Sequence, residues 1–296
     1  MTTAYVVISH RRPEQVLRLA RTLRTGSPSC ALVVHHDDRA VALDEAALRA
    51  VGGVERVLPP TPVAWGWTSQ LDMLLRCLSH ALERVDFEWL VVLSGQDYPI
   101  RPLEASERDL HASPWDAYVE TIPVEPPAWS RAEADEFARR YFYRYRAIRP
   151  PGPLLRRAVS AARPLLTLRD MPWGTALGVR RRGLSEHTQR GTDWLTLSRK
   201  AVETVVHGDP ELMRHYRRAL MPTESFPHTV LRTTVGMQLS GDTRRFTRWE
   251  PGSPNPAVLT LGDLDAMLAS GNDFARKFDP DVDSGVLDAL DRVVLG

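Results

Sequence analysis

The chain has 296 residues, of which 43% are hydrophobic and 25% charged, and its net charge at neutral pH is +1. This composition suits a globular fold and excludes a disordered chain, and so small a net charge offers no global field toward nucleic acid or an anionic membrane. No run approaches the roughly 18 consecutive apolar residues of a membrane span. Two cysteines, Cys30 and Cys77, are too few for a disulfide framework or a cysteine-rich zinc site, so a reducing cytoplasm is the expected compartment.

Tyr5 to Ile8 is a short apolar run with charges after it, not before it, and so reads as a first strand and not as a signal peptide. Val16, Leu19, Ala20 and Leu23 follow at helical spacing, with Pro13 at the start and Gly26 past the end. Ala31 to Val34 is a second strand, closing in His35-His36-Asp37-Asp38, and a weaker helix covers Leu43 to Val51. Leu71, Leu74, Leu75, Leu78 and Leu82 form an amphipathic helix. Trp89 to Leu93 is a third strand, ended by Ser94-Gly95-Gln96-Asp97-Tyr98-Pro99. This alternation predicts an α/β fold, a mainly parallel sheet with helices on both faces. Ligands of such sheets sit beyond the carboxyl ends of the strands, where His10, Asp37 and Gly95 to Tyr98 fall.

Ala117 to Thr121 alternates like a strand. The stretch 139–146 interleaves arginines with aromatics, and three readings stand open: an amphipathic helix snorkelling its arginines, a site of acceptor recognition, or a nucleic-acid surface. No RNA-binding motif accompanies it, so nucleic acid is not an expected partner. Residues 149–174 carry Pro150, Pro151, Pro153, Pro164 and Pro172 and read as a long loop with a short helix. Order returns with a strand at Trp194 to Leu197 and a helix from Ser198 through Val206. Further helices are expected from near Thr223, over Leu261 to Leu268 and over Ser284 to Val294. No linker divides the chain, so 1–296 reads as a single domain. Only Lys200 and Lys277 are lysines among the 38 basic residues, an arginine bias like that of GC-rich bacterial genomes.

Seven segments, in order, resemble the core-2/I-branching N-acetylglucosaminyltransferase family, which includes the peptide O-xylosyltransferases. They are Ala4 to His10, Val34 to Asp37, Trp65 to Ser69, Leu93 to Ile100, Gly191 to Trp194, Pro222 to Phe226, and Phe274 to Asp279. Leu93-Ser94-Gly95-Gln96-Asp97-Tyr98-Pro99 and Phe274-Ala275-Arg276-Lys277-Phe278-Asp279 are the specific runs, and 125–175 is the weakest part. The resemblance implies a GT-A-type nucleotide-diphospho-sugar transferase fold. About 1–115 would form the donor-nucleotide half and about 116–296 the acceptor and catalytic half. It implies inverting, metal-independent transfer from a UDP-sugar, with GlcNAc favoured and xylose or another sugar next. Animal members carry a membrane anchor and disulfides. Neither is seen in this sequence, which looks like a bacterial cytosolic catalytic domain.

Residue by residue, Glu224 matches the catalytic glutamate. Inversion needs one base for the acceptor proton, and a carboxylate in the first turn of a helix capped by Thr223 would be held ionised. Lys277, with Arg276, matches the diphosphate site, where cations can replace a metal. Animal members place a second cation, an arginine, about twenty residues earlier. Pro254 stands in that region here, leaving Arg248, Arg245 or Arg276 to complete the clamp. Asp37 matches a nucleotide-contacting aspartate, and His10 lines the expected uridine pocket. Glu120 and Trp249 match acceptor-side residues, and Gln96, Asp97 and Trp194 are assigned to the same side.

Plainer readings stand beside these. First-turn acids, turn aspartates, buried tryptophans and solvated basic pairs are all ordinary. His35 and His36 are adjacent on a strand, point to opposite faces and cannot chelate together, so no metal site is expected. Alternatives are a metal-dependent transferase using Asp37 or Asp38, and a non-catalytic sugar-nucleotide or glycan-binding protein. There is no G-x-S-x-G elbow for a hydrolase. Glu120 and Glu224 could suggest a glycosidase, but sequence gives no carboxylate separation. A glycan, a polymer precursor or a small-molecule hydroxyl all remain open as acceptor.

Overall fold

A computed structural model describes residues 2–125, 128–181, 187–253 and 255–296. The first hundred residues fold in the expected alternation: β1 (Thr3–Ser9), α1 (Pro13–Gly26), β2 (Ala31–His36), α2 (Glu45–Val51), β3 (Val54–Arg56), α3 (Thr68–Arg84) and β4 (Trp89–Ser94). β1 pairs in parallel with both β2 and β4, and β3 adds in parallel to β2. Three short strands from later in the chain extend the sheet past β4. Thr196–Ser198 pairs antiparallel with β4, Ala117–Tyr118 antiparallel with that strand, and Leu239–Ser240 parallel at the edge.

Burial follows from the pleat. Along β1, Ala4 and Val6 join one apolar cluster with Leu71, Leu74 and Leu78 of α3, whereas Tyr5 and Val7 join the opposite cluster with Val16, Leu19 and Leu23 of α1. Strands buried on both faces read as continuous apolar runs, which is why β1, β2 and β4 stand out in the sequence.

Beside a two-residue pairing of Ile122–Pro123 with Gln189–Arg190, two three-stranded sheets hang on this frame. One joins Asp97–Pro99, Phe274–Arg276 and Arg245–Thr247, and sets Arg276 opposite Asp97. The other corrects the reading of 139–174. Arg131–Tyr141 is a helix that ends before Tyr143–Ile148, a strand. That strand pairs with Gly174–Arg180, which turns back from Leu166–Met171. The prolines that suggested a loop sit at its corners. Pro153 opens a short helix, Pro153–Ala161, Pro164 follows that helix, and Pro172 lies in the turn between the paired strands.

Candidate active site

The carboxyl ends of β1 and β2 open into a cavity of about 530 Å³ lined by Ile8, His10, Asp37, Val63, Trp65 and Met73, among others. Ile8, Gln70 and Met73 also line a second cavity of about 110 Å³, which reaches the end of β4, Asp193, Trp194 and Thr223. The two form one cleft where ligands of such sheets sit.

In the larger chamber Asp37 is buried and saturated. It accepts from the Arg39 guanidinium at 2.6–3.1 Å and from the Val63 amide at 3.0 Å, and the Arg39 contacts hold its carboxyl well below the usual range. It thereby pins the wall carrying Trp65, a tryptophan left 58% exposed. Asp38 turns away to the Leu43 amide and to Arg56. His10 stands at the rim against Arg11, and burial lowers its pKa. His35 accepts from the Thr61 amide, while His36 bridges Ser9 and the Val41 carbonyl. Both rings serve to brace loops.

Glu224 lies beside the smaller chamber. Met221 takes a left-handed conformation (φ 48°), its amide bonded to the Gly66 carbonyl, and a single 3-10 turn, Pro222–Glu224, follows. The α-helix begins only at Phe226, so Glu224 precedes that helix instead of lying in its first turn. Nor is Thr223 a cap: its hydroxyl bonds Asp193. Glu224 Oε2 accepts from Arg140 Nη1 at 3.2 Å and Tyr141 OH at 3.4 Å, with Arg190 Nε at 4.0 Å. Oε1 takes no hydrogen bond from a described residue. The expectation of a dipole-favoured carboxylate is corrected, since burial first, and the neighbouring Asp193 second, push the Glu224 pKa up against the arginines.

Asp193 was absent from the sequence-based site, although its motif was noted. It lines the smaller chamber, its Oδ1 is buried without a hydrogen bond, and burial raises its pKa. Arg140, Tyr141 and Arg190 were missed as well. Arg140 also reaches Glu136, and Arg190 stacks over Phe137. Gly191 closes the arrangement. Its amide bonds the Glu224 carbonyl, and a side chain there would run into the Glu120 carbonyl and the His228 ring. Glu120 thus reaches the site through its backbone, past a strand shorter than expected, Ala117–Tyr118.

The remaining candidates divide. Trp194 lines the smaller chamber, with the Arg276 guanidinium 3.6 Å over its ring. Arg276 is largely buried, 3.6 Å from Asp97 Oδ1. Asp97 is fully buried and accepts from the Ser94 amide, so it faces Arg276 and not solvent. Gln96 bonds the backbone of Phe278. Arg245 is buried over Phe274, with Nη2 donating to the Val92 carbonyl. Arg248 pairs with Asp263 and Glu250, and its neighbour Trp249 is exposed beside it, apart from the cleft lining. Pro254 lies outside the described residues. Lys277 is half-buried and has no carboxylate partner among the described residues. Arg12, at the start of α1, holds the following turn through Asp279 and Asp281, each at 2.7 Å.

Residues 3–119 and 154–268 match the Core-2/I-Branching enzyme family. The chain is 25% identical to Xylosyltransferase oxt of Drosophila pseudoobscura pseudoobscura over 98% of its length and 33% of that protein. It is 25% identical to human Xylosyltransferase 2 over 99% of its length and 34% of that protein. A 120-residue stretch is 35% identical to a beta-glucuronosyltransferase of Arabidopsis thaliana, covering 36% of this chain and 25% of that one. The chain thus spans about a third of the length of the xylosyltransferases it matches.

Proposed function

The chain belongs to the Core-2/I-Branching enzyme family, and from that premise we propose an inverting glycosyltransferase that moves a sugar from a UDP-sugar to an acceptor hydroxyl, with Glu224 as base. The observation that carries this is the division of labour on one carboxylate. Oε2 is held by Arg140 and Tyr141, while Oε1 takes no hydrogen bond from a described residue, and Thr223, next to Glu224 in sequence, and Asp193, whose charge acts on it, line the smaller chamber. A raised pKa makes such a carboxylate a stronger proton acceptor once ionised.

The nucleotide occupies the larger chamber, against the wall that Asp37 pins, and the sugar points toward Asp193 and Trp194. As the acceptor oxygen bonds the anomeric carbon, its proton passes to Glu224. The bond to the diphosphate oxygen breaks, and UDP leaves with that electron pair on the opposite face. Lys277 receives the charge, because two of the arginines that could complete the clamp already have partners: Arg276 faces Asp97 and Arg248 pairs with Asp263. Asp37 and Asp38 are likewise engaged by Arg39 and Arg56, which supports a metal-free clamp over a metal held by that pair. The names of the relatives put UDP-xylose and UDP-glucuronic acid beside UDP-GlcNAc as donors to try.

The test is thermal stabilisation by a panel of UDP-sugars, each with EDTA and with manganese, followed by turnover of the stabilising donor. Stabilisation in EDTA by one UDP-sugar, and turnover reduced roughly 10²–10⁴-fold in Glu224→Gln, are expected. Stabilisation only with manganese, or full turnover in Glu224→Gln, would overturn the clamp or the base respectively.

A further inference from the structure

Charge in this chain is segregated to an extent that its net value hides. Residues 143–181 hold nine of the 38 basic residues and one of the 37 acidic ones, so this segment carries +8 and the rest of the chain −7. It coincides with one structural unit, the antiparallel strands Tyr143–Ile148, Leu166–Met171 and Gly174–Arg180 with the helix Pro153–Ala161. Arg156 pairs with Asp170 and Arg169 with Glu136. The other seven arginines have no carboxylate partner among the described residues, and Arg146, Arg149, Arg157, Arg163 and Arg180 are exposed.

The same unit also leaves several apolar side chains exposed. Within the helix Pro153–Ala161 only Val159 is buried, whereas Leu154 is 86% exposed and Leu155 also stands in solvent. Leu165, 60% exposed, and Val179 continue the exposed apolar surface. A short helix carrying leucines and arginines, with one buried residue, has the make-up of an interfacial element. The leucines enter the headgroup boundary and the arginines meet lipid phosphates with their stems along the apolar side.

We propose that this unit is a docking surface for an anionic phospholipid membrane. A bilayer fits better than an acidic protein because the exposed arginines Arg146, Arg149, Arg157, Arg163 and Arg180 are spread over the helix, two of the strands and the segments between them, a distribution that suits a diffuse sheet of phosphates. Nucleic acid would leave the leucines unused. No helix among the described residues is long and apolar enough to span a membrane, and the contact proposed is peripheral.

The test is co-sedimentation of the full chain with vesicles of phosphatidylcholine alone or mixed with phosphatidylglycerol, at low and high salt. Binding to the mixed vesicles only, weakened by salt, is expected. It should fall at least about tenfold in Leu154→Glu/Leu155→Glu and in Arg149→Glu/Arg157→Glu/Arg163→Glu. Arg21→Glu/Arg232→Glu, exposed arginines elsewhere, should bind like the parent chain. Any of four results would overturn the proposal: no binding to mixed vesicles, equal binding to phosphatidylcholine, an equal loss in the Arg21/Arg232 variant, or a dimer in solution that Leu154→Glu/Leu155→Glu dissociates. All these substitutions are at exposed side chains, and the proposal does not depend on the identity of the sugar donor.

Discussion

Around Glu224 the balance is between burial, which raises its pKa, and two arginines, which oppose it. If Glu224 is the base, kcat/KM falls as pH drops through its raised pKa, so the acid limb lies above the ordinary carboxylate value of about 4.3. Replacing Arg140 with Met removes a cation that favours the ionised form. The pKa then rises further and the acid limb moves to higher pH, with the loss of activity largest at low pH. A pH profile of the two proteins checks this, and an unmoved limb would remove Arg140 from the account. Glu224 can be picked out of the sequence as a candidate because its motif is contiguous. Its partners are not: Arg140 and Tyr141 lie 84 and 83 positions away, and the contacts exist only after the helix Arg131–Tyr141 docks. Their side chains sit in the Arg/aromatic stretch whose local pattern also fits a snorkelling helix.

Among the elements, the long buried strands were legible and the two-residue strands were not, because Ala117–Tyr118 and Leu239–Ser240 are too short to show a period. The elements carrying Glu224's neighbours are fastened by histidines. His228 meets the Thr192 carbonyl at 2.8 Å, and His215 meets the Tyr141 carbonyl. Burial drives each ring down to about 4. Both stay neutral in the fold while the unfolded chain takes up protons near 6.5. Between those values the unfolded state binds more protons, so stability falls as pH drops from about 6.5 to about 4. Urea unfolding at neutral pH and at about pH 5 is expected to show a lower midpoint in acid. The difference should shrink in His215→Gln, which removes one of these rings; an unchanged difference would clear His215.

At the scale of the molecule, one sheet joins the two apolar clusters, so the larger chamber at β1 and β2 and the carboxylates beyond β4 share a frame. The class of fold followed from alternation in the first hundred residues. The hairpin unit at 143–181 did not, because its prolines mark corners that look the same in sequence as a loop. Averaging charge over 296 residues concealed the same unit, since +8 and −7 cancel. A window of about forty residues would have shown it.

The scarcity of lysine has a practical consequence. Lys200 is tied to Asp116 at 2.9 Å on the surface, far in the chain from Lys277, which has no such tie among the described residues. Reductive methylation with carbon-13 formaldehyde would therefore label two side chains and the amino terminus, a spectrum of very few lines that needs almost no assignment. Adding UDP should shift the Lys277 line, identified by its loss in Lys277→Arg, and leave that of Lys200 in place. The phosphate site would then be read from the ammonium itself, without any turnover of sugar.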